Sequence, residues 1–436
     1  MAVSEISKKT NKSKKVGENK SMGNTNKKTG KGKTKTKPKL KPKSNSKLKT
    51  KTKNKEKMVV IEGSHAVAEA VRLCKPKVVA AFPITPQTHI VERLAWLVAN
   101  GMLDAEYVNV ESEHSALSLV AGAVACGVRA YTATSSQGLA LMHEVLFATS
   151  GMRLPVVMHV ANRALSAPLN IWNDLSDTMA QRDSSWIQLY AENVQESVDF
   201  TFIAYKVAEE VMLPAMVCMD GYTLTHVYEP VSIPEQWQVD DYLPEYKTDY
   251  KLDVENPMLI GAYALPDDYM EFKYDQQLAM DAAMTKLEEE SKEFEKKFNR
   301  RFDLIEEYKL ETNMAIVSMG SVCGTIKDAI DNFSADVGLL RLIAYRPFPK
   351  DKIRDALRNV ETVIVIDRAF SYGFEGILFS EIKSAFYNVE EKPKIFGYIA
   401  GLGGRDIRIE DIHRIIEDVK QAEKEGEWIG LRGVYA

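Results

Sequence analysis

The 436-residue chain has only four cysteines, Cys74, Cys126, Cys218 and Cys323, and no two of them form a C-x-x-C pair. Zinc ribbons and self-contained iron–sulfur sites need clustered thiolates, so neither is encoded here. A disulfide framework is missing too, which points to a reducing, cytoplasmic setting. No run of about 18 apolar residues exists, so nothing in the sequence is built to span a membrane. The N-terminus lacks the apolar segment of a signal peptide. Two phosphate-binding signatures are also absent. No G-x-G-x-x-G follows a strand, because GLGGRDI (Gly401–Ile407) has neither the spacing nor the helix context, and there is no P-loop. No metal-ligand cluster stands out either. If the chain uses a cofactor, something else must hold its phosphates.

Charge is unevenly spread. Residues 1–57 carry 21 lysines and three acidic groups, a net of +18, so the remainder carries −22 within the overall −4. That first stretch is Lys/Thr/Ser/Asn-rich with almost no large apolar residues, a composition that cannot offset its ordering entropy and is expected to be disordered. Two readings of it stand side by side. One is a polyanion-binding arm, since repeated lysines attract phosphates through counterion release. The other is an extension peculiar to this chain's lineage or to its assigned start, because Met58 opens a strand as a start codon would. The acidic body argues against a nucleic-acid partner for the protein as a whole.

From Met58 onward the pattern is ordered. MVVIEG reads as a short strand, and SHAVAEAVRLC as a helix with Ser64 as its N-cap candidate. VVAAFP is a continuous apolar strand, as expected where both faces of a sheet are covered. THIVERLAWLVANG reads as a helix closed at Asn100-Gly101. The strand AEYVNVE, an Ala/Gly-rich helix from Ser115 to Gly127, the strand VRAYTAT, the helix GLALMHEVLFATSGM and the strand PVVMHVA follow. Strict strand–helix alternation with short connections predicts an α/β fold with a parallel sheet. Residues 230–311 change character and include a highly charged helical run, read as a connecting helix with a solvated face. Alternation then resumes with NMAIVSMGS, VGLLRLIAYRPFP and TVIVIDRAF. The expected organisation is therefore an extension at 1–57, a first α/β domain at 58–235, a connecting segment at 236–311 and a second α/β domain at 312–436.

In open α/β sheets, ligands bind beyond the carboxyl ends of the strands. Four loops meet that condition: FPITPQ (Phe82–Gln87), ESEHS (Glu111–Ser115), SSQG (Ser135–Gly138) and ANRALSAP (Ala161–Pro168). They supply hydroxyls, carboxylates, an amide and a guanidinium. Arg163 suits a carboxylate or phosphate, because its planar fork binds such oxygens bidentately. Glu113, at the start of the small-residue helix, is either a capping residue that compensates the helix dipole or a catalytic carboxylate. Thr85, between two prolines, is by type a turn residue as readily as a ligand. His89 and His114 are lone helical histidines, more often structural than catalytic.

Several long stretches in order, FPITPQTHIVERLA, VESEHSALSLVAGA, TATSSQGLALMHEVLFATSGMRLPVV and ANRALSAPLNIWNDLSDTMAQRD, together with GSVCGT, RPFP and IAGLGGRDI, resemble the alpha subunit of the pyruvate:ferredoxin oxidoreductase family. The resemblance spans Met58 to the end and has no counterpart for residues 1–57. It implies a thiamine-diphosphate enzyme whose cofactor lies between two α/β domains. One of these binds the diphosphate and Mg²⁺, and the other packs on the aminopyrimidine. Having no G-D-G…N anchor beyond the near match MDGY (Met219–Tyr222), this chain resembles the pyrimidine-side half, inactive alone. Residues 58–235 would be that domain and residues 312–436 a transketolase C-terminal-like domain. A beta subunit would hold the diphosphate, and further gamma and delta subunits would carry the iron–sulfur clusters that pass electrons to ferredoxin.

Carried over by position, Glu113 matches the glutamate that hydrogen-bonds the aminopyrimidine, favouring the imino tautomer whose nitrogen removes the thiazolium C2 proton. Thr85 matches the substrate-contacting threonine, and Arg163 the arginine facing the pyruvate carboxylate. Phe82 departs from the more usual tyrosine and removes one hydroxyl from the site. The implied reaction converts pyruvate and coenzyme A to acetyl-CoA and CO₂ with reduction of ferredoxin, and runs in reverse as pyruvate synthesis. Two other expectations remain beside it: a sister enzyme for branched-chain 2-oxoacids or 2-oxoglutarate, and a scaffold or polyanion-binding protein organised around the lysine-rich segment.

Overall fold

The computed structural model describes residues 57–332, 336–421 and 426–433. The expectations for the lysine-rich stretch therefore lie outside the described residues, apart from Lys57. The described residues fall within one compact unit.

Two mostly parallel sheets carry the fold. The first has seven strands in the spatial order Ala344–Arg346, Ile187–Tyr190, Ala215–Asp220, Val157–Asn162, Ala130–Thr134, Val78–Ala81 and Glu106–Asn109. All neighbours are parallel except Ala344–Arg346, which runs antiparallel beside Ile187–Tyr190. The three central strands from Ala130, Val157 and Ala215 are buried at every residue, as expected of a sheet covered on both faces. The second sheet has six strands, in the order Gly426–Trp428, Lys394–Ile399, Thr362–Asp367, Met314–Met319, Val337–Leu342 and Ile305–Tyr308. Only the last of these is antiparallel. One hydrophobic core runs between the sheets, joining Val156, Met158 and Met216 of the first half to Val317, Leu340 and Val365 of the second.

Several local expectations are met and others are corrected. The helix Thr88–Ala99 ends at Asn100, and Gly101 follows with φ +69°. The opening strand, Lys57–Glu62, does not enter the parallel sheet; it pairs antiparallel with Tyr228–Ile233. Ser64 is not an N-cap. It lies inside the helix Gly63–Cys74, and its hydroxyl donates to the Thr225 carbonyl at 2.9 Å. The stretch from Gly138 to Met152 forms two helices, Ser136–Leu141 and His143–Gly151, rather than one. The charged run is one 33-residue helix, Pro266–Phe298, opened by its proline and closed by Asn299 in the left-handed region. Its solvated face is accompanied by a buried stripe of Ala279, Met280, Ala283, Leu287, Phe294 and Phe298, so it is part of the core as well as a connector.

The chain order of the first sheet places the site. After Val78–Ala81 the chain moves outward to Glu106–Asn109, then returns on the opposite side of Val78–Ala81 as Ala130–Thr134. The crevice where strand order reverses lies between the loops that follow Val78–Ala81 and Ala130–Thr134, the position at which open α/β sheets bind ligands.

Candidate functional site

Glu113 opens the helix Glu113–Ala125, and it is not the cap. That role belongs to Ser112, whose hydroxyl oxygen accepts from the Ser115 N–H at 3.2 Å. The Glu113 side chain is 7 % exposed, and no side-chain hydrogen bond to a described residue holds its carboxylate. What faces it is the loop after Ala130–Thr134. A Cβ built on Gly138 would stand 2.7 Å from Glu113 Oε1 and closer still to Thr134 Oγ1, so the missing side chain is what lets loop, hydroxyl and carboxylate converge. Around this point Thr134 Oγ1, Ser135 Oγ and Gln137 Nε2 are buried without a protein partner. Buried polar atoms are normally satisfied, so these three on one loop are candidates to meet a polar ligand.

The Pro-rich turn is fastened to the same strand. Gln87, fully buried, donates from Nε2 to the Ala133 carbonyl at 2.7 Å and accepts from the Ile84 N–H at 3.3 Å. Thr85, at the tip, is exposed, and its carbonyl accepts from Arg163 Nη1 at 2.9 Å. Arg163 is 6 % exposed and also donates from Nε to the Asn170 carbonyl at 2.8 Å. Burial lowers its guanidinium from the ordinary value, with Tyr222 and Asp177 opposing that shift. Its Nη2 makes no hydrogen bond to a described residue, which leaves one edge of the fork for a ligand. The structure thus brings Thr85 and Arg163 together directly and ties both to the strand that leads to the Glu113 contact.

The residues that connect these parts were missed in the sequence. Asp177 joins the SSQG and ANRAL loops by accepting from both Ser136 N–H and Arg163 N–H at 3.0 Å. Gly221 comes so close to the Pro-rich turn that a Cβ there would lie 2.5 Å from Pro86 Cγ and from the Asn162 carbonyl. Asp220 of MDGY is committed elsewhere. It is 1 % exposed and takes both Arg368 Nη1 contacts at 2.7 Å, together with the Ser321 N–H at 2.8 Å. The near match to a diphosphate anchor is therefore a clasp between the two halves. His114 lies 3.9 Å from Glu144 on the surface, and His89 pairs with Glu62 at 2.6 Å, so neither points to chemistry. The four cysteines are free, three of them buried.

Fold and site together define an α/β chain that presents a carboxylate, hydroxyls, an amide and a guanidinium at the switch point of a parallel sheet. Comparison with known proteins gives this class a family. The model for pyruvate flavodoxin/ferredoxin oxidoreductase, thiamine-diphosphate-binding, matches residues 69–292, and that for pyruvate:ferredoxin oxidoreductase core domain II matches residues 312–412. The chain is 51 % identical over 379 residues to the pyruvate synthase subunit PorA of Methanosarcina barkeri, covering 85 % of this chain and 94 % of that one. It is 44 % identical over 385 residues to the ketoisovalerate oxidoreductase subunit VorA of Pyrococcus horikoshii, covering 86 % and 98 %. The solved 2-oxoglutarate:ferredoxin oxidoreductase from Magnetococcus marinus shares the fold, with a TM-score of 0.66 and 19 % identity over 84 % of this chain. The chain spans 65 % of that protein's length. The chain belongs to the pyruvate:ferredoxin oxidoreductase family.

Proposed function

We propose that this chain is the alpha subunit of a multi-subunit pyruvate synthase, which oxidatively decarboxylates pyruvate with coenzyme A to acetyl-CoA and CO₂ and reduces ferredoxin, reversibly. The observation that carries the reading is the close approach of the Glu113 carboxylate to Thr134 and Gly138, in the loop whose Thr134, Ser135 and Gln137 side chains hold unsatisfied buried polar atoms. This donor set fits the aminopyrimidine of thiamine diphosphate, which presents a ring nitrogen and an amino group and carries no charge of its own. When bound, thiamine diphosphate supplies the electron sink for loss of CO₂.

The chain's own residues have definable tasks. Glu113, 7 % exposed at a helix N-terminus, shares a proton with the ring nitrogen and so sets the tautomer of the ring. Arg163 holds the substrate carboxylate with the edge of its fork that the protein leaves unused. Thr85 turns its hydroxyl to the same substrate from the tip of the Pro-rich turn. Asp220, the near match to a diphosphate anchor, is committed to Arg368, and among the described residues no group of three or more metal-ligating side chains could hold an ion. The grip on Mg²⁺ and a diphosphate falls to a beta subunit, and electron transfer to clusters on gamma and delta subunits. On this division residues 58–235 form the pyrimidine-side domain and residues 312–436 the second domain. The location is cytoplasmic; among the described residues no helix is long and apolar enough to cross a membrane.

The second reading is a sister enzyme for branched-chain 2-oxoacids, supported by the 44 % identity to the ketoisovalerate subunit. Assay of the native complex under anoxic conditions with a viologen acceptor separates the two. Pyruvate is expected to give the highest kcat/KM of the 2-oxoacids, and a higher value for 2-oxoisovalerate would favour the sister enzyme.

A further inference from the structure

The stretch NDLSDTM, in the loop beyond Arg163, holds a buried carboxylate that the reaction as described does not use. Asp177 is 1 % exposed on the short helix Ser176–Met179. Its Oδ2 accepts from the backbone N–H groups of Ser136 and Arg163, each at 3.0 Å. Its Oδ1 accepts from Asn162 Nδ2 and Thr178 N–H, each at 2.8 Å. Two of these donors belong to the loops that carry the candidate ligand groups. Ser136 stands between Ser135 and Gln137, and its backbone has φ +47°, a conformation that a residue with a Cβ adopts only when the surroundings hold it. The Ser136 hydroxyl reinforces the link by donating to the Ala164 carbonyl at 2.6 Å. Arg163 in turn spends Nε and Nη1 on the Asn170 and Thr85 carbonyls, so its free edge can point in only one direction while its backbone is fixed.

We propose that Asp177 is a positioning residue for the 2-oxoacid: by binding the backbone of Arg163 and Ser136 through one carboxylate oxygen, it sets the direction of the Arg163 fork relative to the Glu113 side of the site. The proposal rests on the reading of Arg163 as the group that meets the substrate carboxylate. A neutral carboxylic acid gives up part of this network, since each oxygen already accepts from two N–H donors and a proton on either displaces one of them. Burial pushes this carboxyl up to about 7, against the pull of Asn162, Arg163 and Ser136. The charged or titratable neighbours are Asp174 on the same loop, Arg163 on the loop after Val157–Asn162, Tyr190 on its strand and Cys218 on the strand Ala215–Asp220. Burial drives Tyr190 and Cys218 upward, so both are neutral near pH 7 and Asp177 is the group that ionises there.

The test uses the complex reassembled anoxically with its partner subunits, measuring KM for pyruvate and for coenzyme A with a viologen acceptor. Asp177→Asn is expected to raise the pyruvate KM roughly tenfold while the coenzyme A KM stays within about twofold, the signature of a misdirected substrate group. In the wild type the pyruvate KM is expected to rise as pH falls through about 7, and D177N is expected to lose that inflection. An unchanged pyruvate KM, or a parallel rise for both substrates, would overturn the proposal. Arg163→Ala in the same assay separates the two levels. If R163A raises the pyruvate KM and D177N does not, Asp177 is merely structural; if R163A changes nothing, the substrate reading itself falls. Should D177N not assemble, Asn162→Ala removes one donor from Oδ1 and is expected to raise the pyruvate KM by about threefold, and no rise would count against the proposal.

Discussion

Arg163 Nη1 donates to the carbonyl of Thr85 at 2.9 Å across 78 residues of sequence. A guanidinium that takes its orientation from two backbone carbonyls, Thr85 and Asn170, is a rigid fork rather than a mobile charge. Lysine keeps the charge, but its donors sit on one nitrogen and lack the planar fork that reaches both carbonyls and a ligand at once. Arg163→Lys is therefore expected to raise the pyruvate KM by about tenfold to a hundredfold, the range for a lost charge-assisted hydrogen bond. Steady-state kinetics of the assembled complex checks this, and near-wild-type KM in R163K would show that only charge matters.

Gly138 makes a different prediction. A methyl group there would press on Thr134 Oγ1 and stand 2.7 Å from Glu113 Oε1, so something in the site must shift. Gly138→Ala is expected to lower turnover by about a hundredfold while the chain still folds, since helix propensity favours alanine over glycine by about 1 kcal/mol. Activity measured beside thermal unfolding separates the two effects. A fall in Tm without a fall in kcat would contradict the proposed convergence.

The clasp between the halves bears on stability. Asp220 and Arg368 are both buried, at 1 % and 5 % exposure, and removing one member strands the other. Arg368→Ala is expected to cost about 3–5 kcal/mol, as denaturant unfolding would report. Burial alone would raise the Asp220 carboxyl, but Arg368 and Ser321 outweigh it and hold the group below its ordinary value. A lowered folded-state pKa means that the stabilisation is present above the unfolded value, about 3.9, and is lost as pH falls through the lower folded value. Wild-type stability should therefore drop more steeply in acid than that of Asp220→Asn, as unfolding midpoints measured across that range would reveal. Equal slopes would argue that the pair does not titrate with folding.

Much of this arrangement was legible in the linear sequence. Strands followed by FPITPQ, ESEHS, SSQG and ANRAL placed four loops at one end of a sheet; Arg163 stood out for its planar fork, while Glu113 was left between cap and catalytic carboxylate until the family resemblance gave it a role. The ties between the loops were not legible. Asp177 meets Ser136 across 41 residues, and Arg368 meets Asp220 across 148, through polar groups sitting in ordinary polar segments. Hydrophobic period reports which face of an element is buried, and says nothing about which distant polar group it will meet. Ala344–Arg346 illustrates the same limit. It follows Leu342 almost without a break, yet crosses to the other sheet, so VGLLRLIAYRPFP reads as one strand and forms two. Ser64 was misread because a serine before an apolar periodic run looks like a cap, while its hydroxyl finds Thr225 across 161 residues.

The central claim is that the Glu113 carboxylate exchanges a proton with the cofactor ring. The most direct test is Glu113→Gln in the reassembled complex, with thiamine-diphosphate binding and turnover measured on the same preparation. Glutamine fills the same space and can still form one hydrogen bond, but it cannot share the proton. The account predicts that cofactor remains bound and that kcat falls by about 10²–10⁴, the range for loss of a general acid–base group. Turnover within a factor of a few of wild type would contradict it and return Glu113 to the role of a buried helix-end charge.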